Sequence, residues 1–395
     1  AARFYAVASA DTLTLAEARD QWIAWATKAE RGRSGTIEGH RATLALFGAF
    51  LCARHGFPSL DVAPLALVTR RIANDYIAWR LARVSPKTKR TISPATVQRE
   101  LSSLRGLWRW ARRLEHAESN PWDDQAASLP KRVRAPARDD DDHDPTKRPY
   151  TDAELLALLR AGGDAWAPNG GGYGPALWDA TRPALLTGCR AREPAGLRVR
   201  DVIDGGRTIQ VRFGRRGGKT PNAQRDVPLC EPAQRILAAR LTTLPTGDPM
   251  APVWPEIPPS GAEGRRGKIL SSRFAKAKTR ILAKMEGEAA PGSADLHSLR
   301  RSFARALRTA MTAGRREVND VLIGSLMGHS ERTLALRTCA PGDLAEHLRR
   351  AVGAMWEDGF APAVRAEVLR TIDHRPPVVR TAPAFQRRKR TANPT

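Results

Sequence analysis

The stretch from Ser128 to Lys147 constrains this chain most. It reads SLPKRVRAPARDDDDHDPTK, with three spaced prolines, a basic run and then an acidic run. Proline fixes φ and removes a backbone donor, and blocks of like charge repel each other, so no helix or core strand threads such a segment. It is therefore expected to be a linker (128–147) between two separately cored domains, as 395 residues allow. The carboxylates Asp139 to Asp144 around His143 are read as a solvated charge run, because consecutive side chains in an extended segment rarely converge on one ion.

Before the break the pattern is helical (13–127), behind a short N-terminal arm (1–12). Trp22, Ile23 and Ala26 mark one helix, Ile37, Arg41, Leu44, Phe47 and Leu51 a second, and Ile72, Tyr76 and Trp79 a third. The fourth is the clearest: Ser93 suits the N-cap, Pro94 the first helical position, and Val97, Leu101, Leu104, Trp108 and Ala111 repeat at helical spacing. Its other faces carry Arg99, Arg105, Arg109, Arg112 and Arg113. The run Ala42–Ala53 is too short to span a bilayer and reads as a buried helix, and residues 1–15 hold no signal-peptide pattern.

After the break a second domain is expected over 148–358. Thr151 and Glu154 form a capping-box pattern. Ile209, Val211 and Phe213 alternate, Arg215–Gly218 supplies a turn, and Val227 and Leu229 resume, which predicts a β-hairpin with a basic tip. Helical spacing returns from Ser271 to about Trp356. Residues 359–395, rich in Pro and Arg, read as a disordered basic tail.

Lys and Arg number 65 against 41 Asp and Glu, a net charge of +24, which favours a polyanionic partner without fixing a fold. The four cysteines, Cys52, Cys189, Cys230 and Cys339, suit neither a zinc site nor a disulfide framework, so a reducing cytoplasm is expected.

Four motifs follow in order through the second domain. Thr187-Gly188-Cys189-Arg190-Ala191-Arg192-Glu193 is the first; Lys219-Thr220, with Arg225 and Val227-Pro228-Leu229 behind it, the second. His297-Ser298-Leu299-Arg300 and Leu326-Met327-Gly328-His329-Ser330 complete the set. Singly each is weak; jointly they resemble the catalytic domain of the tyrosine recombinase (phage integrase) family, whose pattern is T-G-x-R-x-x-E, a hairpin lysine, H-x-L-R and L-G-H-S. The segment SPATVQRELSSLRGLWRWA with the following ESNPW is similar to that family's helical core-binding domain.

The resemblance implies a SAM-like helical DNA-binding domain joined to a mixed α+β catalytic domain, mainly α with a small antiparallel sheet. It implies that Arg190 and Arg300 grip the non-bridging oxygens of a phosphorane, with fork-shaped permanent charge. His297 would assist proton transfer, Lys219 would protonate the departing 5′ oxygen, and His329 would donate to the phosphate or support the nucleophile. Arg215 and Arg216 rival Lys219, and Arg192 rivals Arg190; otherwise these arginines, with Arg99, Arg105, Arg109 and Arg112, are candidate DNA contacts. Glu193 reads as a structural partner for an arginine. No metal, ATP or other cofactor is implied. The partners implied are duplex DNA and further copies of the chain, as dimers or tetramers on DNA, with the Leu344–Met355 helix exchanged between them and a nucleoid-associated cytoplasmic location.

One part of the pattern is missing. After His329 the chain reads SERTLALRTCAP, and its only tyrosines are Tyr5, Tyr76, Tyr150 and Tyr173. Cys339 takes the slot where the family has its nucleophilic tyrosine, with Thr338 as second choice. A thiolate is a strong nucleophile, but its reach from the backbone is much shorter than a tyrosine's. Two readings follow: a recombinase impaired in cleavage as its sequence stands, or a degenerate recombinase acting as a non-catalytic, architectural DNA-binding protein.

Overall fold

The computed structural model describes residues 13–29, 34–86, 89–125, 129, 147–161, 165–166, 174–212, 224–245, 247–260, 264–285, 293–328 and 341–373. The chain divides into two compact units, 1–137 and 138–395.

The first unit is helical. Its elements are α1 (Leu15–Ala29), α2 (Ser34–His55), α3 (Arg70–Leu81) and α4 (Pro94–Arg113), with short 3₁₀ turns between α2 and α3. The Ser93 hydroxyl accepts from Thr96 N–H at 3.3 Å and Pro94 opens α4 where a missing N–H is harmless. Val97, Leu101, Leu104, Trp108 and Ala111 are all buried, as their spacing requires. Phe47 meets Tyr76 at 5.4 Å and Trp122 at 5.2 Å, both edge-on, in an aromatic core shared by α2, α3 and the segment after α4. Buried within it, Glu100 accepts from Arg80 Nε at 2.8 Å and from the Tyr76 hydroxyl at 3.0 Å. Removing one member of such a buried pair costs about 3–5 kcal/mol, because it strands the other.

Two readings of this unit are corrected. Arg41 points to solvent rather than along the buried stripe of α2. The Ala42–Ala53 run is buried on one face only, with Ala42, Ala45, Ala49, Cys52 and Ala53 outward; alanine and cysteine are small enough that exposing them costs little.

The second unit surrounds α10 (Leu296–Thr312), whose Leu299, Phe303, Ala306, Leu307 and Ala310 are almost wholly buried. Around it lie α5 (Asp152–Arg160), α6 (Gly174–Thr187), α7 (Arg192–Gly196), α8 (Glu231–Leu241), α9 (Gly267–Leu282), α11 (Asp320–Met327), α12 (Pro341–Ala354) and α13 (Pro362–Asp373). The Thr151–Glu154 capping box opens α5, and an Asp295–Ser298 box opens α10. A three-stranded antiparallel sheet, β1 (Val202–Ile203), β2 (Thr208–Val211) and β3 (Arg225–Pro228), has β2 in the centre, with Val211 opposite Arg225. The expected hairpin is β2–β3; β1 is too short to carry a periodic signal. Phe213 and the Arg215–Gly218 turn lie outside the described residues.

The ends of the expected linker belong to the units. Leu129 is buried in the first core, and Lys147 bridges in parallel to Ser293 while its Nζ lies 3.2 Å from Asp295. The larger correction concerns the tail: residues 362–373 form helix α13, joined to α12 by a π-turn at Met355–Gly359. Val364 and Val368 are buried against the core of this unit, Arg182 donates to the Thr371 carbonyl at 3.1 Å, and Arg160 lies 3.4 Å from Glu367. A stripe of two valines in an arginine-rich context is too sparse to read as amphipathic, yet it suffices once a core is there to receive it. The α12 face carrying Leu348, Ala351 and Val352 is likewise buried within this unit.

Candidate active site

Helix α6 ends at Thr187, whose hydroxyl donates to the Pro183 carbonyl at 2.7 Å. Gly188 then turns the chain with φ +62, a conformation open to glycine and strained for other residues. A side chain there is also excluded by contact, since an added Cβ would sit 2.3 Å from the Phe303 ring. The turn delivers Cys189 inward, where burial pushes its thiol up to about 11, and Arg190 outward. Arg190 is anchored by its backbone: its N–H donates to Glu193 Oε2 at 2.8 Å, while its guanidinium, 28% exposed, lies 3.5 Å from Glu193 Oε1.

Glu193 opens α7 and is buried, and its principal partner comes from another element. Arg225, at the start of β3 and 2% exposed, donates from Nη2 to Glu193 Oε2 at 3.0 Å and from Nε to the Leu326 carbonyl at 3.0 Å. Burial alone would raise the Glu193 carboxyl, but the Arg225 charge overcomes this and holds it below the usual range. Leu326 lies in the last turn of α11, which closes on Gly328 at φ +66, one residue before His329. A Cβ at Gly328 would lie 3.1 Å from Arg225 Nη1.

Arg300 arrives from α10. It is 1% exposed, and its guanidinium donates from Nη1 to the Gly188 carbonyl at 2.7 Å and from Nη2 to the Met327 carbonyl. His297 is half-buried in the first turn of α10, on the face it shares with Arg300. Arg190 and Arg300 are thus gathered at one turn, the first open and the second set within the core. Arg192 is exposed and packs beside Gly267, outside this cluster. Lys219, Arg215, Arg216, His329, Thr338 and Cys339 lie outside the described residues.

In the first unit Arg99, Arg109 and Arg112 are exposed on α4. Arg105 is more engaged, donating to the Trp122 carbonyl at 3.3 Å and lying 3.9 Å from Asp123; Arg112 is 4.0 Å from the same carboxylate. Sequence reasoning passed over three features. Arg225 looked like a flank of the lysine motif, because its role depends on residues 32 and 101 positions away. Residues 265–284 carry eight Lys or Arg and no acid, a signal present in the sequence; in α9, Lys268 and Lys276 face solvent. Arg83, Lys89 and Arg90 are exposed on a short hairpin between α3 and α4, with Lys89 at φ +55.

Tyrosine recombinase XerC of Rhodospirillum centenum is 32% identical to the chain over 333 residues, covering 82% of each. The chain belongs to the tyrosine recombinase family. Among solved structures, the Tn1549 transposon integrase in complex with a circular intermediate DNA superposes with a TM-score of 0.53 at 20% identity, over 85% of this chain and 98% of that one. A lambda integrase tetramer bound to a Holliday junction gives 0.50 at 19% identity, over 82% and 80%. These likenesses establish the integrase-type fold, mainly helical with its small antiparallel sheet. No protein-family model matches the chain. Among the described residues no helix is long and apolar enough to cross a membrane, and no three His, Cys, Asp or Glu side chains cluster as metal ligands.

Proposed function

We propose that this recombinase binds duplex DNA through both units, and that its second unit carries the machinery for breaking and rejoining a strand through a covalent 3′-phosphoprotein link. What supports the reading is the Gly188–Glu193 turn. It fixes the backbone of Arg190 with a buried carboxylate and leaves the guanidinium open, two residues from the carbonyl that Arg300 holds. Permanently charged forks placed this way stabilise charge that grows on a phosphoryl group. Arg190 then takes a non-bridging oxygen, Arg300 sets the position of the turn from within the core, and His297 and His329 donate to the phosphate. Lys219 protonates the leaving 5′ oxygen. Arg99, Arg109, Arg112, Lys268 and Lys276 neutralise backbone phosphates, and copies of the chain assemble on DNA as dimers or tetramers in the nucleoid.

The nucleophile is the exception. No tyrosine follows Tyr173, and Cys339 occupies the slot, so the chain as it stands binds DNA and is deficient in cleavage. The same observation favours a second reading, a non-catalytic DNA-binding protein whose retained arginines only hold phosphate.

Denaturing capture of covalently attached DNA separates these readings, with the chain and its Cys339→Tyr form expressed beside the native genome. DNA on the tyrosine form alone supports the impaired recombinase. DNA on neither, with specific DNA still recovered by native capture, supports the binding protein. DNA on the unmodified chain would make Cys339 or another residue a working nucleophile and overturn both readings.

A further inference from the structure

Three segments far apart in sequence meet at one guanidinium. Arg225 begins the strand that follows the Lys219 segment, donates to the Leu326 carbonyl at the end of the helix that precedes His329, and donates to Glu193, which holds the Arg190 turn. We propose that Arg225 is a positioning residue that keeps Arg190 available to phosphate; this rests on the reading that Arg190 takes up a DNA phosphate.

Two guanidinium groups compete for a single carboxylate. Glu193 Oε1 faces both of them, at 3.4 Å from Arg225 Nη1 and 3.5 Å from Arg190 Nη1, and Oε2 receives Arg225 Nη2 at 3.0 Å. A buried carboxylate needs a cationic partner. Because Arg225 fills that need from inside the core, Arg190 is held only loosely through its side chain and firmly through its backbone N–H at 2.8 Å. Without the Arg225 fork, Arg190 becomes the sole countercharge of Glu193 and is drawn in toward it. The Leu326 carbonyl also loses its donor, and the end of α11 loses its tether to β3.

Lysine at this position separates positioning from charge balance. It preserves the positive charge beside Glu193, but a single ammonium on a flexible stem cannot reproduce a fork that bonds Glu193 and Leu326 together. The test compares Arg225→Lys and the charge-neutral Glu193→Gln/Arg225→Met pair with the full chain, all carrying Cys339→Tyr. It measures three quantities on sheared duplex DNA from the source genome: affinity, thermal midpoint and the rate of covalent adduct formation. For Arg225→Lys the expected result is adduct formation slower by on the order of a hundredfold, as for a displacement of about 1 Å. Duplex affinity, which sums many phosphate contacts, stays near the parent's, while the thermal midpoint falls by a few degrees as the buried Leu326 carbonyl loses its donor.

A lysine variant that forms adduct at the parent's rate overturns the proposal. If the lysine variant does not fold, the neutral pair decides. That pair has no Glu193 charge to draw Arg190 in: folded, DNA-bound and near the parent's rate, it supports the proposal; folded and slowed by about a hundredfold, it shows that competition for Glu193 is not what Arg225 controls and overturns it. A parent that binds DNA but forms no adduct removes the cleavage reading itself, and this proposal with it, before any comparison of variants.

Discussion

Gly188→Ala tests the site and the core at once, because the residue meets two separate obstacles. Its φ of +62 places an alanine in the left-handed region, which costs an L-residue roughly 1–2 kcal/mol. The added Cβ would also fall 2.3 Å from Cδ1 and 2.9 Å from Cε1 and Cγ of Phe303. That ring is wholly buried on α10 and cannot yield without moving the helix that carries Arg300. Overpacking of this kind costs about 1–3 kcal/mol, so the two together give roughly 2–5 kcal/mol. Gly205 isolates the first term, since its φ is +61 and nothing lies within 4 Å of its Cβ position; Gly205→Ala is expected to cost only about 1–2 kcal/mol. Equilibrium urea unfolding of the second unit measures both. Phe303→Leu should relieve part of the Gly188→Ala penalty, an interaction energy visible in a double-mutant cycle. If Gly188→Ala costs no more than Gly205→Ala, and Phe303→Leu adds to it independently, the ring contact has no energetic weight and packing does not dictate glycine at this turn.

Other outcomes follow from the same structure. Removing residues 362–395 exposes the sites of Val364 and Val368, each worth about 1.5–3 kcal/mol when fully buried; a truncated chain as stable as the full one in urea would return α13 to the status of a tail. Burial opposes ionisation of Glu154, but Arg148 and the Thr151 cap prevail and lower its pKa. Its contribution to stability is therefore fully present above the ordinary glutamate pKa of about 4.3 and is lost as pH falls through the lower folded value. Glu154→Gln should flatten that acid limb, and an unchanged limb refutes the assignment. DNA affinity should fall with salt at a log–log slope of about 0.9 per phosphate neutralised. Arg99→Ala and Arg109→Ala should each lower the slope by about one contact, whereas Arg105→Ala should lower it less, because Arg105 already serves Trp122 and Asp123.

Much of the fold is written in local signals. The caps at Ser93 and Thr151, the buried stripe of α4 and the alternation of Ile209 and Val211 each follow from interactions within a few residues, and local rules read them directly. The four motifs pointed to the family for a related reason: a shared fold presents its residues at the same succession of points along the chain, and that succession is a property of the sequence. What stayed hidden depends on contacts across long separations. Arg225 looked like any basic residue beside a hairpin until the fold set Glu193 and Leu326 against it. The bonds that Arg300 makes to the carbonyls of Gly188 and Met327 could not be read locally either, because those residues lie 112 and 27 positions away. The 362–373 segment looked disordered because composition averages over a window, whereas docking depends on whether two valines meet an apolar surface. The sequence alone thus determined the elements with local signals and the family to which the chain belongs; only the tertiary structure decided which charged side chains are buried and which stay open, because burial depends on neighbours that no local pattern contains.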